Sequence, residues 1–114
     1  VVLGEDEIFI ARREMTHLFM APPVEQYLIE LVIRTRSGIE GVEYGVSPRG
    51  TICLDQCARA VAWLNGRDYV SPEDVQSVAH DVLRHRLLLT FEAEGSGMTP
   101  DAVIDQLIDG VPVP

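Results

Sequence analysis

The sequence predicts an all-α protein, a small helical bundle, and three observations carry that prediction. Apolar residues recur at helical spacing in five separate stretches, leaving room for at most a scrap of strand. Three of the helix starts share one device, in Ser47-Pro48, Ser71-Pro72 and Thr99-Pro100: a hydroxyl residue at the N-cap and a proline in the first helical position. The connections are short, as between neighbouring helices of one bundle.

The first helix is predicted from Glu5 to about Met15. Its acidic start suits the helix dipole, and Ile8, Ala11, Met15 and Leu18 fall on one face. Pro22 and Pro23 end an extended segment, and a second helix runs from Val24 to Arg36 with Tyr27, Leu28, Leu31 and Val32 inward. Gly38, Gly41 and Gly45 mark the loop that follows. From Pro48 to Asn65 the apolar residues cover more than one stripe, so this third helix is expected to be central and buried on most sides, with Gly66 closing it.

Ser71 caps a fourth helix from Pro72 to about Leu83, with Asp74 where a capping-box acid would sit. Arg84, His85 and Arg86 follow at its negative end, placed to cap it or to pair with acidic neighbours. Leu87 to Phe91 is a short apolar run that periodicity leaves open between an extended segment and a helix extension. Gly95-Ser96-Gly97 reads as a turn before a last helix from Pro100, stopped by Gly110.

A chain of 114 residues implies one domain with a radius of gyration near ~13 Å. No apolar run is long enough for a membrane span, and no leader resembles a signal peptide, so a cytoplasmic protein is expected. The net charge of -9 disfavours nucleic acid as a partner. Its basic residues are nine arginines and no lysine, which fits placed ion pairs or phosphate contacts better than a diffuse basic surface. Cys53 and Cys57 stand four apart on a helix, with Cβ atoms ~5–6 Å apart where a disulfide needs ~3.5–4.5 Å, so both are expected to be reduced core residues. His80 and His85 are five apart, which does not suit a helical metal pair, and no metal site is expected. Arg67 and Asp68 are expected to form a local ion pair or turn, and Trp63, Tyr27, Tyr44 and Tyr69 to be core or core-edge aromatics.

Gly45-Val46-Ser47-Pro48-Arg49 points furthest beyond the fold. Ser47 at the N-cap and Pro48 in the first position start a helix whose unpaired N–H groups and positive dipole end favour an anion. Arg49 adds a guanidinium in that first turn, able to make two parallel charge-assisted hydrogen bonds to a phosphate.

Together these segments resemble the C-terminal lid domain of the MoxR-type AAA+ ATPases. The resemblance rests on Tyr27-Leu28-Ile29-Glu30-Leu31-Val32 with Thr35-Arg36, on Gly45 to Arg49, and on Ala58-Arg59-Ala60. It continues through Gly66 to Val75 and Val82-Leu83-Arg84-His85-Arg86-Leu87, and closes on Val111-Pro112-Val113-Pro114. It covers the chain from about Val24 onward; the first helix matches in outline, and the cysteine pair is not part of the pattern.

The resemblance implies that Arg49 is the sensor-2 arginine, which touches the γ-phosphate of ATP from a helix N-terminus formed by Ser47, Pro48 and Arg49. It implies ATP and Mg in the intact protein and neither in this domain alone, which contains no phosphate loop. The chain, starting at Val1 without methionine, then reads as a piece excised from the C-terminal part of a larger ATPase. Implied partners are its own nucleotide-binding core, neighbouring subunits of a ring expected to be hexameric, and proteins with von Willebrand factor A domains on which such ATPases act as chaperones. A stand-alone histone-fold-like interaction domain is the alternative from a different class, and a small-molecule enzyme has little in its favour, because no Ser/His/Asp or Cys/His order is evident.

Overall fold

Six α-helices and a two-stranded ribbon make up the computed structural model, which describes residues 4–37 and 39–114. The order is α1 (Glu5–Thr16), α2 (Pro22–Arg36), β1 (Val42–Tyr44), α3 (Pro48–Leu64), α4 (Pro72–Leu83), a 3-10 turn (Arg84–Arg86), β2 (Leu88–Leu89), α5 (Phe91–Gly95) and α6 (Pro100–Gly110). The all-α bundle is as expected, and the ribbon is its small extended component.

Helix α1 opens on Glu5, Asp6 and Glu7 and ends near Arg13, as the dipole favours. Of its expected core face only Leu18, just past the helix end, enters the core: the helix itself contributes no buried residue, and Ile8, Phe9 and Ile10 are exposed. It is tied to α3 by the Trp63 indole N–H, which donates to Glu14 Oε2 at 2.8 Å. The molecule is elongated, 49 × 32 × 21 Å, and its Cα radius of gyration of 15.6 Å exceeds the ~13 Å expected of a rounder domain of this length.

Pro22 and Pro23 begin α2 rather than end the segment before it, since a proline's missing N–H and fixed φ are harmless in a first turn. Val24, Tyr27, Leu28, Leu31, Val32 and Thr35 then form one buried stripe. Along α3 the buried set is Gly50, Leu54, Ala58 and Ala62, a single row at four-residue spacing, so the expectation of burial on most sides is corrected. The small side chains of that row let α4 pack closely with Val75 and Ala79, while Ile52 and Leu64 remain exposed and Cys53 and Cys57 are half-buried. Gly66, at φ +75°, ends α3 in a Schellman motif: its N–H donates to Trp63 O, and the Arg67 N–H donates to Ala62 O.

Two pairings close the chain on itself. Phe19 bridges Tyr69 in parallel, joining the segment before α2 to the link before α4; both side chains are exposed. Strand β1 pairs antiparallel with β2, Val42 with Leu89 and Tyr44 with Leu88, so the open reading of the Leu87–Phe91 run resolves as extended at Leu88–Leu89 and helical from Phe91. Phe91 then starts α5, a helix missing from the sequence reading because five residues are too few to show a period; Thr90 caps it, accepting from Ala93 N–H at 3.1 Å. Tyr27 is buried and accepts a hydrogen bond from Gln76 Nε2, but Tyr44 joins Tyr69 as an exposed ring, against the core-edge expectation. No helix among the described residues is long and apolar enough to cross a membrane.

Candidate functional site

The turn from Gly45 to Arg49 is set by the end of α2 as much as by its own sequence. Val46 is completely buried, and both of its backbone groups are taken by α2. Its N–H donates to Thr35 Oγ1 at 2.9 Å, and its C=O accepts from Arg36 Nε at 2.7 Å. The Thr35 hydroxyl in turn donates to Val32 O at 2.6 Å. Gly45 allows this approach: a Cβ there would lie 2.4 Å from Thr35 O and 2.7 Å from Arg36 N, closer than any side chain tolerates.

Ser47 and Pro48 occupy the N-cap and first-turn positions of α3, as expected. The Ser47 side chain, however, makes no capping hydrogen bond. Its carbonyl starts the helix instead, accepting from Gly50 N–H at 2.9 Å and Thr51 N–H at 3.3 Å. Arg49 is exposed, and the first turn contains no acidic residue. The positive end of the α3 dipole is therefore not neutralised from within its own turn, and a guanidinium stands beside it.

Arg86 also packs against this turn. Gly50 is buried, and a Cβ on it would fall 2.2 Å from Val46 Cγ1 and 3.0 Å from Arg86 Cδ. The Arg86 stem thus runs over Gly50, and its Nη2 donates to Cys53 Sγ at 3.2 Å. Cys53 and Cys57 are free thiols, but not core residues as expected. Burial pushes the Cys57 thiol pKa up, its neighbour Cys53 adds to the rise, and the positive charge of Arg86 opposes it.

Four of the other arginines are committed to carboxylates. Arg34 pairs with Glu30, Arg59 with Asp55, and Arg84 with Asp101 and Asp81, the last bearing out the reading of Arg84 as a partner of acidic neighbours. Arg67 pairs with Asp74, which is buried in the α4 cap, and not with Asp68, whose carbonyl accepts from Phe19 N–H. Among the described residues Arg49 has no carboxylate within ion-pair reach. A cavity of about 790 Å³ between α1, α2 and α3 and one of about 500 Å³ beside Arg67 are both lined by residues other than Ser47, Pro48 and Arg49. The turn is thus an open surface: it can meet a phosphate, but it supplies no enclosure for a base or sugar.

The structure therefore gathers Ser47, Pro48 and Arg49 at one helix start and adds Thr35, Arg36 and Arg86, which sequence reasoning did not assign to it. The signal that could have found the first two was the Thr35-Arg36 pair at the end of a helix, facing a glycine-spaced loop. Arg86 lies 37 positions beyond Arg49 in the chain, and nothing local links them.

Known proteins resemble this chain in sequence and fold. The model of the AAA lid domain family matches residues 34–107. The protein YeaC of Bacillus subtilis is 39% identical over 114 residues, covering 100% of this chain and 35% of its own. Chaperone MoxR1 of Mycobacterium tuberculosis is 36% identical over 121 residues, covering 99% of this chain and 32% of its own. A crystal structure of a protein from Cytophaga hutchinsonii assigned as an ATPase superposes with a TM-score of 0.91 at 34% identity, over 96% of this chain and 36% of that one. The chain thus spans about a third of the length of these relatives. The family match displaces the alternative of a stand-alone histone-fold-like module, and the chain belongs to the AAA lid domain family as the lid of a MoxR-type AAA+ ATPase.

Proposed function

We propose that this lid supplies Arg49 as the sensor-2 arginine of a larger ATPase, touching the γ-phosphate of ATP held by the nucleotide-binding core. Ser47 and Pro48 present the first turn of α3 to the same phosphate. The observation that carries this reading is Arg49 itself: exposed, without a carboxylate partner among the described residues, at a helix start with no acid in its first turn. An anion is what such a turn attracts. ATP with Mg, when bound by the intact protein, supplies a transferring phosphoryl group whose peripheral oxygens gather negative charge, and a guanidinium aimed there stabilises the transition state.

The open geometry fits a shared site. A lid that offers an arginine but no enclosure needs a second surface for the rest of the nucleotide, and the core or a neighbouring subunit of a cytoplasmic, hexameric ring would provide it. Loss of the γ-phosphate then releases the lid, so that hydrolysis becomes domain rotation, ring rearrangement and chaperone-like remodelling of partners, von Willebrand factor A-domain proteins among them.

The test is ATP turnover by the intact ATPase. Arg49→Ala lowers it at least about tenfold, ~1.4 kcal/mol of barrier, while the melting curve of the protein stays in place because an exposed, unpaired arginine adds little to the fold. Arg49→Lys recovers only part of the rate, since an ammonium makes no bidentate contact. Wild-type turnover in Arg49→Ala would show the arginine to be idle.

A further inference from the structure

The start of α3 is held from outside the helix. Ser47 caps nothing with its side chain, whereas Val46, one residue earlier, is gripped at its N–H by Thr35 and at its C=O by Arg36. Thr35 is 2% exposed, and its hydroxyl is fixed in one orientation because its proton goes to Val32 O while its oxygen receives Val46 N–H. Gly45 brings the two backbones into contact, and Pro48 fixes its own φ at about −65°. Only Ser47 and Pro48 then separate the gripped residue from Arg49. Little rotational freedom is left between the end of α2 and the guanidinium.

We infer that Thr35 and Arg36 are positioning residues for Arg49: the Thr35 hydroxyl and the Arg36 guanidinium set the direction in which α3 begins and so the point that Arg49 reaches. The inference rests on the reading of Arg49 as a phosphate contact. It adds that the aim of the arginine belongs to α2. Valine has the shape of threonine but no acceptor, so Thr35→Val leaves the buried Val46 N–H without a partner and the turn must shift to recover one. A displacement of about 1 Å at a reacting centre can lower a rate by up to ~100-fold.

The experiment is a double-mutant cycle on ATP turnover in the whole ATPase, with melting temperatures measured in parallel. Thr35→Val lowers kcat roughly tenfold with little change in KM for ATP, and Thr35→Ser, which keeps the hydroxyl, restores most of it. In an Arg49→Ala background Thr35→Val has no further effect on kcat, because a residue that acts through Arg49 has nothing left to aim. A merely structural threonine would lower the melting temperature and reduce turnover equally in both backgrounds, and that result overturns the inference. So does wild-type turnover in Thr35→Val when Arg49→Ala is impaired. If Arg49→Ala itself turns over normally, the phosphate-contact reading fails first, a distinguishable result that also removes the ground of the inference. Should Thr35→Val fail to fold, the exposed Arg36→Met removes the other half of the grip, and the same cycle with Arg49→Ala decides.

Discussion

Two helix starts in this lid share a Ser-Pro beginning and put it to opposite uses. At α4 the sequence Ser71-Pro72-Glu73-Asp74 closes on itself. Ser71 N–H donates to Asp74 Oδ2 at 2.8 Å, Asp74 N–H donates to Ser71 Oγ at 3.4 Å, and Arg67 pairs with the other carboxylate oxygen. At α3 the sequence Ser47-Pro48-Arg49-Gly50 stays open. Its third helical position is Gly50, which has no side chain to reach back, and its second is Arg49 where α4 has Glu73. A start that neutralises itself is structural, and one that leaves its N–H groups and dipole uncompensated is free to meet an anion. What replaces the missing cap at α3 is tertiary: α2 grips Val46, and Arg86 covers Gly50.

The contrast can be broken most forcefully at the glycines of the open start. Gly45→Ala drives a Cβ into the backbone of Thr35, and Gly50→Ala drives one into the buried Val46. Each should destabilise the domain by about 1–3 kcal/mol, with Gly45→Ala at the upper end because backbone cannot step aside. At Gly50 the sign is the informative part, since replacing an unconstrained helical glycine with alanine is normally stabilising by up to ~1 kcal/mol. A raised melting temperature in Gly50→Ala would mean that Val46 and Arg86 do not crowd this turn.

The next effect separates the paired second positions. Arg49→Ala should lower ATP turnover of the intact protein at least about tenfold, whereas Glu73→Ala, at the equivalent place in α4, should leave it unchanged. Equal losses would dissolve the distinction between an open and a closed start.

Smaller effects are expected at the serines. Ser71→Ala removes a formed capping box and should cost about 1 kcal/mol of stability, seen as a lower urea midpoint with an unchanged slope. Ser47→Ala removes no side-chain hydrogen bond and should shift stability by no more than a few tenths of a kcal/mol, roughly what replacing a cap by glycine does. If the two serines gave equal losses, Ser47 would be capping α3 after all and the outside grip would be redundant.

Much of the fold was legible in the residue order, because helix starts and periods are local. The caps at Ser71 and Thr99, the inward stripe of α2 and the left-handed stop at Gly66 each depend on residues within a turn or two of one another. Legibility failed where a side chain's surroundings come from elsewhere. The apolar run of α3 looked buried on most sides, yet only one row is fully buried, and the apolar residues of α1 found no core to enter. The β1–β2 ribbon joins segments more than forty positions apart, and neither strand is long enough to announce itself.

The candidate site divides along the same line. The sequence by itself determined that a helix begins at Ser47-Pro48 and that Arg49 stands in its first turn, since these are matters of adjacent residues and of helical geometry. Only the tertiary structure decided that the cap is withheld from Ser47 and supplied through Val46 by Thr35 and Arg36, and that Arg86 lies over Gly50. The physical reason is range. A hydrogen bond within one turn is written in the spacing of the residues that make it, whereas contacts such as Arg36 to Val46 or Arg86 to Cys53 exist only once packed helices bring distant segments within about 3 Å of one another.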